Sequence, residues 1–289
     1  MMRTLRSALK MYRVTGLVRL AWRRVLRSRA NCYSAIQPLV SGKMGLEVGG
    51  PSPIFSRRGL LPVYPVAKRV DNCNFSNSTI WEGTIREGRT FVFDPQHEPG
   101  NQYLVEATDL GPIEAETYDF VLSSHTLEHI ANPLRALAAF GRVLKSDGLL
   151  VLVLPHKQET FDHRRPLTTM AHLIDDHVMG TAENDMTHLT EILSWHDLAR
   201  DPGIDDTDTF GRRCRQNLEI RCMHHHVFDT SLAVEMADWL GLQIVDAEPT
   251  LPHHIILVCR KSAQPGQNAL FLSDDAPFRE SSPFTLDRR

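Results

Sequence analysis

The chain has 289 residues, of which 42% are hydrophobic and 23% charged, with a net charge of −3. That length suits one large domain with insertions better than two equal domains. No nucleic-acid partner is expected, and no apolar run approaches the ~20 residues that a membrane span needs.

In chain order, basicity comes first. Glu47 is the first acidic residue, so Arg3, Arg6, Lys10, Arg13, Arg19, Arg23, Arg24, Arg27 and Arg29 are uncompensated. They alternate with Leu5, Leu9, Tyr12, Leu17, Leu20, Trp22 and Leu26, which predicts a basic amphipathic helix with a soft point at Gly16. Residues 1–40 form this leader, and three readings stay open. Residues 1–30 lie on an anionic membrane surface or acidic partner, or they are an Arg-rich organelle transit segment, or they are a helix packed over the domain.

A short strand over 44–48 then delivers Glu47 near its carboxyl end. It breaks at Gly49-Gly50, where the missing Cβ lets backbone approach a ligand. Residues 51–65 are proline-rich and lead into a strand over 66–70 that ends at Asp71. Residues 72–102 read as a loop with a small hairpin over 81–93. Brief strands follow over 103–105, before Glu106-Ala107, and over 119–123. Asn132 and Pro133 cap and open a helix over 134–144, and Asp147-Gly148 turns the chain into a strand over 149–154. A helix over 229–240 and strands over 242–245 and 255–259 close the fold. The tail, 262–289, is rich in Ser, Pro, Asp and Gln and is expected to be disordered. The alternation of strands and helices implies an α/β fold, a mostly parallel sheet with helices on both faces. The predicted divisions are the leader 1–40, a cofactor-binding half 41–156, a cap insertion 157–228, closing elements 229–261 and the tail 262–289. Five scattered cysteines, Cys32, Cys73, Cys214, Cys222 and Cys259, form no disulfide framework and indicate a reducing, cytoplasmic setting.

Two blocks carry chemistry. One is Lys43-Met-Gly-Leu-Glu-Val-Gly-Gly-Pro-Ser52. The other is Tyr118-Asp-Phe-Val-Leu-Ser-Ser-His-Thr-Leu-Glu-His-Ile-Ala-Asn-Pro133, followed by Arg142-Val-Leu-Lys-Ser-Asp-Gly148. Together they resemble the class I S-adenosylmethionine-dependent methyltransferases. The resemblance implies a Rossmann-like, doubly wound, seven-stranded and mostly parallel sheet, S-adenosyl-L-methionine as cofactor, and methyl transfer to a small-molecule or saccharide-type acceptor. It assigns Glu47, Gly49 and Gly50 to the methionine part of the cofactor. Asp71 is assigned to both ribose hydroxyls, a task for a carboxylate because it accepts two hydrogen bonds at once. Glu106 and Ala107 are assigned to adenine, with Asp109 as a substitute, and Ser124 and His125 run under the methionine moiety. Pro51 stands where the turn usually has a third glycine, so this loop takes a different path.

The insertion holds eight of the fourteen histidines. Thr160-Phe-Asp-His-Arg-Arg-Pro166 sets a carboxylate, an imidazole and two guanidinium groups in one turn, which suits an anionic or polyhydroxyl substrate. His125 and His163 are the candidate bases, and Arg164 and Arg165 the candidate substrate anchors. The remaining cap histidines match no metal signature, and no metal is expected. Two other readings stay open: a scaffold that has lost catalysis, and a metal-dependent enzyme centred on these histidines. No Gly-x-Gly-x-x-Gly follows the first strand, which argues against a dinucleotide oxidoreductase.

Overall fold

The computed structural model describes residues 29–289 apart from Ile80, Pro202, Asp205 and Pro265. The leader helix predicted over residues 1–28 lies outside the described residues. The strands are β1 (Met44–Val48), β2 (Arg69–Asn74), β3 (Ser78–Thr79), β4 (Gly83–Thr84), β5 (Gly88–Phe91), β6 (Gly100–Leu104), β7 (Tyr118–Ser124), β8 (Leu144–Pro155), β9 (Gln243–Thr250) and β10 (His254–Arg260). Eight of them form one sheet in the order β5-β6-β2-β1-β7-β8-β10-β9, while β3 and β4 pair with each other. Pairing is parallel from β6 through β2, β1 and β7 to β8, and antiparallel at both edges. The mostly parallel, doubly wound sheet is thus as expected, with eight strands instead of seven. The eighth, β5, comes from the stretch read as a loop and hairpin, and buried Phe91 ties it to the domain.

The helices are α1 (Tyr33–Val40), α2 (Pro133–Val143), α3 (Met170–Met179), α4 (Leu189–Trp195), α5 (Thr207–Arg215), α6 (Asn217–Ile220), α7 (Thr230–Trp239), α8 (Ala269–Leu272) and α9 (Pro277–Ser281). Side chains alternate across a strand, so successive residues of β7 enter different cores. Val121 packs with Leu134, Leu137 and Phe140 of α2 on one face, whereas Phe120 and Leu122 pack with Ile36 and Val40 of α1 on the other. Burial on both faces explains the unbroken apolar run Leu149 to Leu154 in β8. Helix α2 starts as predicted: Pro133 is its first residue, and the Asn132 side chain accepts the Arg135 amide at 3.0 Å. The insertion has a separate small core of Ile192, Ile204, Phe210, Cys214 and Met223.

Two expectations need correction. The tail is ordered against the domain. Phe278 and Phe284 are buried, and Phe284 stacks on His156 at 4.0 Å. The buried Asp287 carboxylate accepts Thr230 Oγ1 at 2.8 Å and meets His156 Nε2 at 3.1 Å. Two aromatic anchors and one satisfied carboxylate outweigh the polar composition. The leader boundary also moves: Arg29 donates to the carbonyls of Gly59 and Arg57, the amides of Asn31 and Cys32 donate to Glu248, and α1 buries Ile36 and Val40. Residues 29–40 therefore belong to the packed domain. Among the described residues, no helix is long and apolar enough to cross a membrane.

Candidate active site

Strand β1 lies between β2 and β7, and the chain leaves it first towards β2 and later returns to β7. Ligands bind such sheets in the crevice beyond the strands' carboxyl ends, where this order reverses. A cavity of about 440 Å³ opens there. Its floor comes from the segments after four parallel strands: Gly49 and Ser52 after β1, Asn74 and Phe75 at the end of β2, Glu106 and Ala107 after β6, and Ser124, His125 and Thr126 at the tip of β7. Trp81, Glu82, Glu183 and Arg221 close it from outside the basic sheet.

The glycine turn is fixed by its neighbours. Gly49 has φ +86°, and a Cβ there would sit 2.4 Å from Thr126 Oγ1. A Cβ on Gly50 would lie 2.1 Å from the carboxyl carbon of Glu47. Asn72 accepts the Gly50 amide and donates to its carbonyl, both at 3.1 Å, and Asn74 donates to the same carbonyl at 3.2 Å. The amide-rich strand β2 thus holds the turn through side chains.

Glu47 is fully buried under this loop and does not line the cavity. Its carboxylate accepts the Ser52 amide at 3.0 Å and the Tyr64 hydroxyl at 2.5 Å. Burial pushes its pKa up to about 7, against the two hydrogen bonds. The sequence reading that Glu47 contacts the cofactor is corrected: it shapes the loop that Pro51 diverts. Gly50 faces a neighbouring cavity, while Gly49 lines this one.

Asp71 is also corrected. Strand β2 runs on to Asn74, so Asp71 sits mid-strand opposite Leu46, 1% exposed. It accepts the Tyr118 hydroxyl and the Asn101 amide, both at 2.8 Å, and pairs with Arg69 at 3.0 Å. Asn74 takes the strand-end place, and its buried Oδ1 has no hydrogen-bond partner in the protein. Glu106 and Ala107 do reach the cavity. Arg221 Nη2 donates to Glu106 Oε1 at 2.6 Å, makes a close pair with Glu183, and lies 4.9 Å over the Phe75 ring. Burial raises the Glu106 carboxyl, with Arg221 opposing it.

His125 has φ +51°, which turns it out of β7 into the cavity wall. Its Nε2 lies 2.9 Å from His254 Nδ1, and its Nδ1 lies 3.6 Å from Glu128 Oε1. Burial opposes charge on Glu128, but the hydrogen bond from His125 and the neighbouring imidazoles hold its pKa down at about 2. His129, stacked on Trp81, is pushed down to about 4 by burial and by His224. A second cavity of about 210 Å³ shares Trp81 and His129 with the first and adds Phe161, Phe210, Asp162 and Arg213.

The other predicted residues lie elsewhere. His163 and Arg164 both meet Asp197 Oδ2, at 2.9 and 3.2 Å. Arg165, 1% exposed, pairs with Asp162 at 3.0 Å and Glu191 at 2.8 Å and donates to the His224 and His225 carbonyls. None of the three lines the main cavity. The charges of this turn neutralise one another and tie the cap together, so the base and anchor roles read for His163, Arg164 and Arg165 do not stand. Sequence reasoning missed Asn74, Trp81 and Arg221. The strand boundary hid Asn74, and no local signal places Arg221, whose left-handed backbone (φ +48°) aims it across the cap.

Residues 65–152, from before β2 into β8, match the family model described as a methyltransferase domain. By that match, residues 65–152 carry a methyltransferase domain. The glycine cradle and the unpartnered Asn74 oxygen suit a polar ligand at this place, as S-adenosyl-L-methionine would be. No curated protein matches the chain. Solved structures that it resembles include a methyltransferase from Aquifex aeolicus (TM-score 0.41, 10% identity, 80% of this chain and 90% of that one) and one from Mesorhizobium loti (0.46, 14%, 79% and 95%). A third is 1,6-didemethyltoxoflavin-N1-methyltransferase from Burkholderia thailandensis, solved with S-adenosylhomocysteine (0.45, 13%, 80% and 77%).

Proposed function

We propose that the enzyme holds S-adenosyl-L-methionine along the carboxyl ends of β1, β2, β6 and β7 and methylates a hydroxyl of a small, saccharide-type acceptor, with the His125–His254 pair taking the proton. The observation that carries this is the chain Glu128–His125–His254 at the wall of the cavity. The cofactor supplies an electrophilic methyl on a sulfonium; the protein's task is to position the acceptor and remove its proton. Gly49 and Ser124 line the methionine end, Asn74 offers an acceptor to the ribose, and Ala107 with Phe75 lines the adenine end. When bound, the cofactor would supply its methyl to the acceptor oxygen and would keep the electrons of the carbon–sulfur bond. The released proton passes to the histidine pair, where the ionised Glu128 balances the imidazolium. The second cavity supports the acceptor class: Trp81, Phe161 and Phe210 offer flat faces, and Asp162 and Arg213 offer polar groups at the edge.

The five free cysteines fit the reducing, cytoplasmic setting, and the basic residues 1–30 fit peripheral contact with an anionic membrane. The test of the reaction is His125→Asn, since Asn tolerates positive φ. With methyl-labelled cofactor and a panel of hydroxylated sugars, the variant keeps S-adenosylhomocysteine binding and loses about 10²- to 10⁴-fold in transfer. Transfer at the wild-type rate would remove His125 from the chemistry.

A further inference from the structure

Behind the cavity wall, three imidazoles converge from three separate parts of the cap. His172 is in the first turn of α3, His188 immediately precedes α4, and His226 lies in the segment between α6 and α7. One ring nitrogen of each falls within 4.8 Å of those of the other two. We propose that His172, His188 and His226 bind one divalent transition-metal ion of the zinc type, with Asp176 as the fourth group, and that the ion clamps the cap to the cofactor cavity.

Several observations carry this. His172 Nε2 and His188 Nε2 face each other at 3.1 Å. Two neutral imidazoles at that distance must share one proton, whereas a cation between them satisfies both lone pairs. With zinc–nitrogen bonds of about 2.0–2.1 Å, tetrahedral ligand nitrogens stand about 3.4 Å apart, close to the spacing seen. Asp176 Oδ2 lies 3.3 Å from His172 Nε2, yet is buried and accepts no hydrogen bond. Its other oxygen accepts the Thr181 hydroxyl at 2.8 Å, which orients the carboxylate as outer-shell bonds orient metal ligands. His226 is fully buried and donates Nε2–H to the Ala131 carbonyl at 3.1 Å, so its lone pair resides on Nδ1, which is buried and has no hydrogen-bond partner. Three imidazoles and one carboxylate make a nitrogen-rich donor set suited to zinc.

The location gives the ion its role. Ala131 adjoins Ile130, which lines the cofactor cavity, and Asn132 Nδ2 donates to the Asp176 carbonyl at 2.9 Å. Glu183, on the loop between α3 and α4, lines the same cavity and pairs with Arg221. An ion joining α3, α4 and the His226 segment therefore fixes the wall that carries Glu183 and Arg221. The site is structural and separate from the His125–His254 pair.

The test uses the full-length protein. Elemental analysis measures zinc per chain, and the chelator-treated protein is titrated with zinc while thermal unfolding and circular dichroism are followed. The expected result is one zinc per chain and a rise in Tm of several degrees on zinc addition. His172→Gln and His188→Gln keep the circular dichroism spectrum, lose at least tenfold in zinc affinity, and lose the thermal gain. His125→Asn keeps both. Wild-type zinc content and thermal gain in the two Gln variants would overturn the proposal and move the ion to the cluster of His125, His253 and His254. A folded wild-type protein with no response to zinc would overturn it as well.

Discussion

Glu47→Gln isolates the energetic consequence of burying a carboxyl beneath the cofactor loop. Glutamine keeps an acceptor for the Ser52 amide and remains within reach of the Tyr64 hydroxyl, but it cannot ionise. Burial raises Glu47 from its ordinary 4.5 to about 7. The folded state thus holds a proton that the unfolded chain has already released across that interval. The stability tied to it is complete below about pH 4.5 and is lost as pH rises through 7. At about 1.36 kcal/mol per pH unit, the loss amounts to about 3 kcal/mol by pH 8. Urea unfolding of both proteins at several values from pH 5 to pH 8 measures it. The stability of Glu47→Gln relative to wild type should climb by about 2.5 kcal/mol over this range and level off near pH 8. Parallel pH profiles for the two proteins would refute the reasoning.

Asp71→Ala should lower stability by about 1–3 kcal/mol, because the Tyr118 hydroxyl and the Asn101 amide lose their buried acceptor. It should leave S-adenosylhomocysteine affinity unchanged by calorimetric titration; a folded variant with weakened binding would return Asp71 to the site. Arg221→Ala strips the partner from Glu106 and Glu183 in the cavity wall. Glu106 is partly solvated, so the expected loss of stability is about 1–3 kcal/mol, with weaker cofactor binding beside it, and unfolding and titration curves that match wild type would refute the pairing.

The sheet was legible because its central strands are apolar on both faces, and α2 because Asn132 and Pro133 announce its start. Strand β2 was misplaced for a physical reason. Its residues Asp71, Asn72 and Asn74 are polar because they hold the Gly50 turn or cross-strand partners, so the hydrophobic signal ends before the strand does. That error placed the strand end at Asp71 instead of Asn74. Gly49, Glu106, Ala107, Ser124 and His125, read from local motifs that mark strand ends, all line the cavity. The cap was opaque: Arg165 carries the same charge whether it anchors a substrate or is buried between Asp162 and Glu191, and only the long-range pairing tells which. Tail order rests on Phe278, Phe284 and Asp287, three residues that composition averages away.

The central claim is that the cavity beyond β1, β2, β6 and β7 is the cofactor site. Calorimetric titration of S-adenosylhomocysteine into the wild type and into Ala107→Trp, whose indole would fill the adenine end, tests it most directly. The account predicts saturable one-to-one binding by the wild type and its loss in the variant, with the circular dichroism spectrum unchanged. Equal binding by both proteins would contradict it.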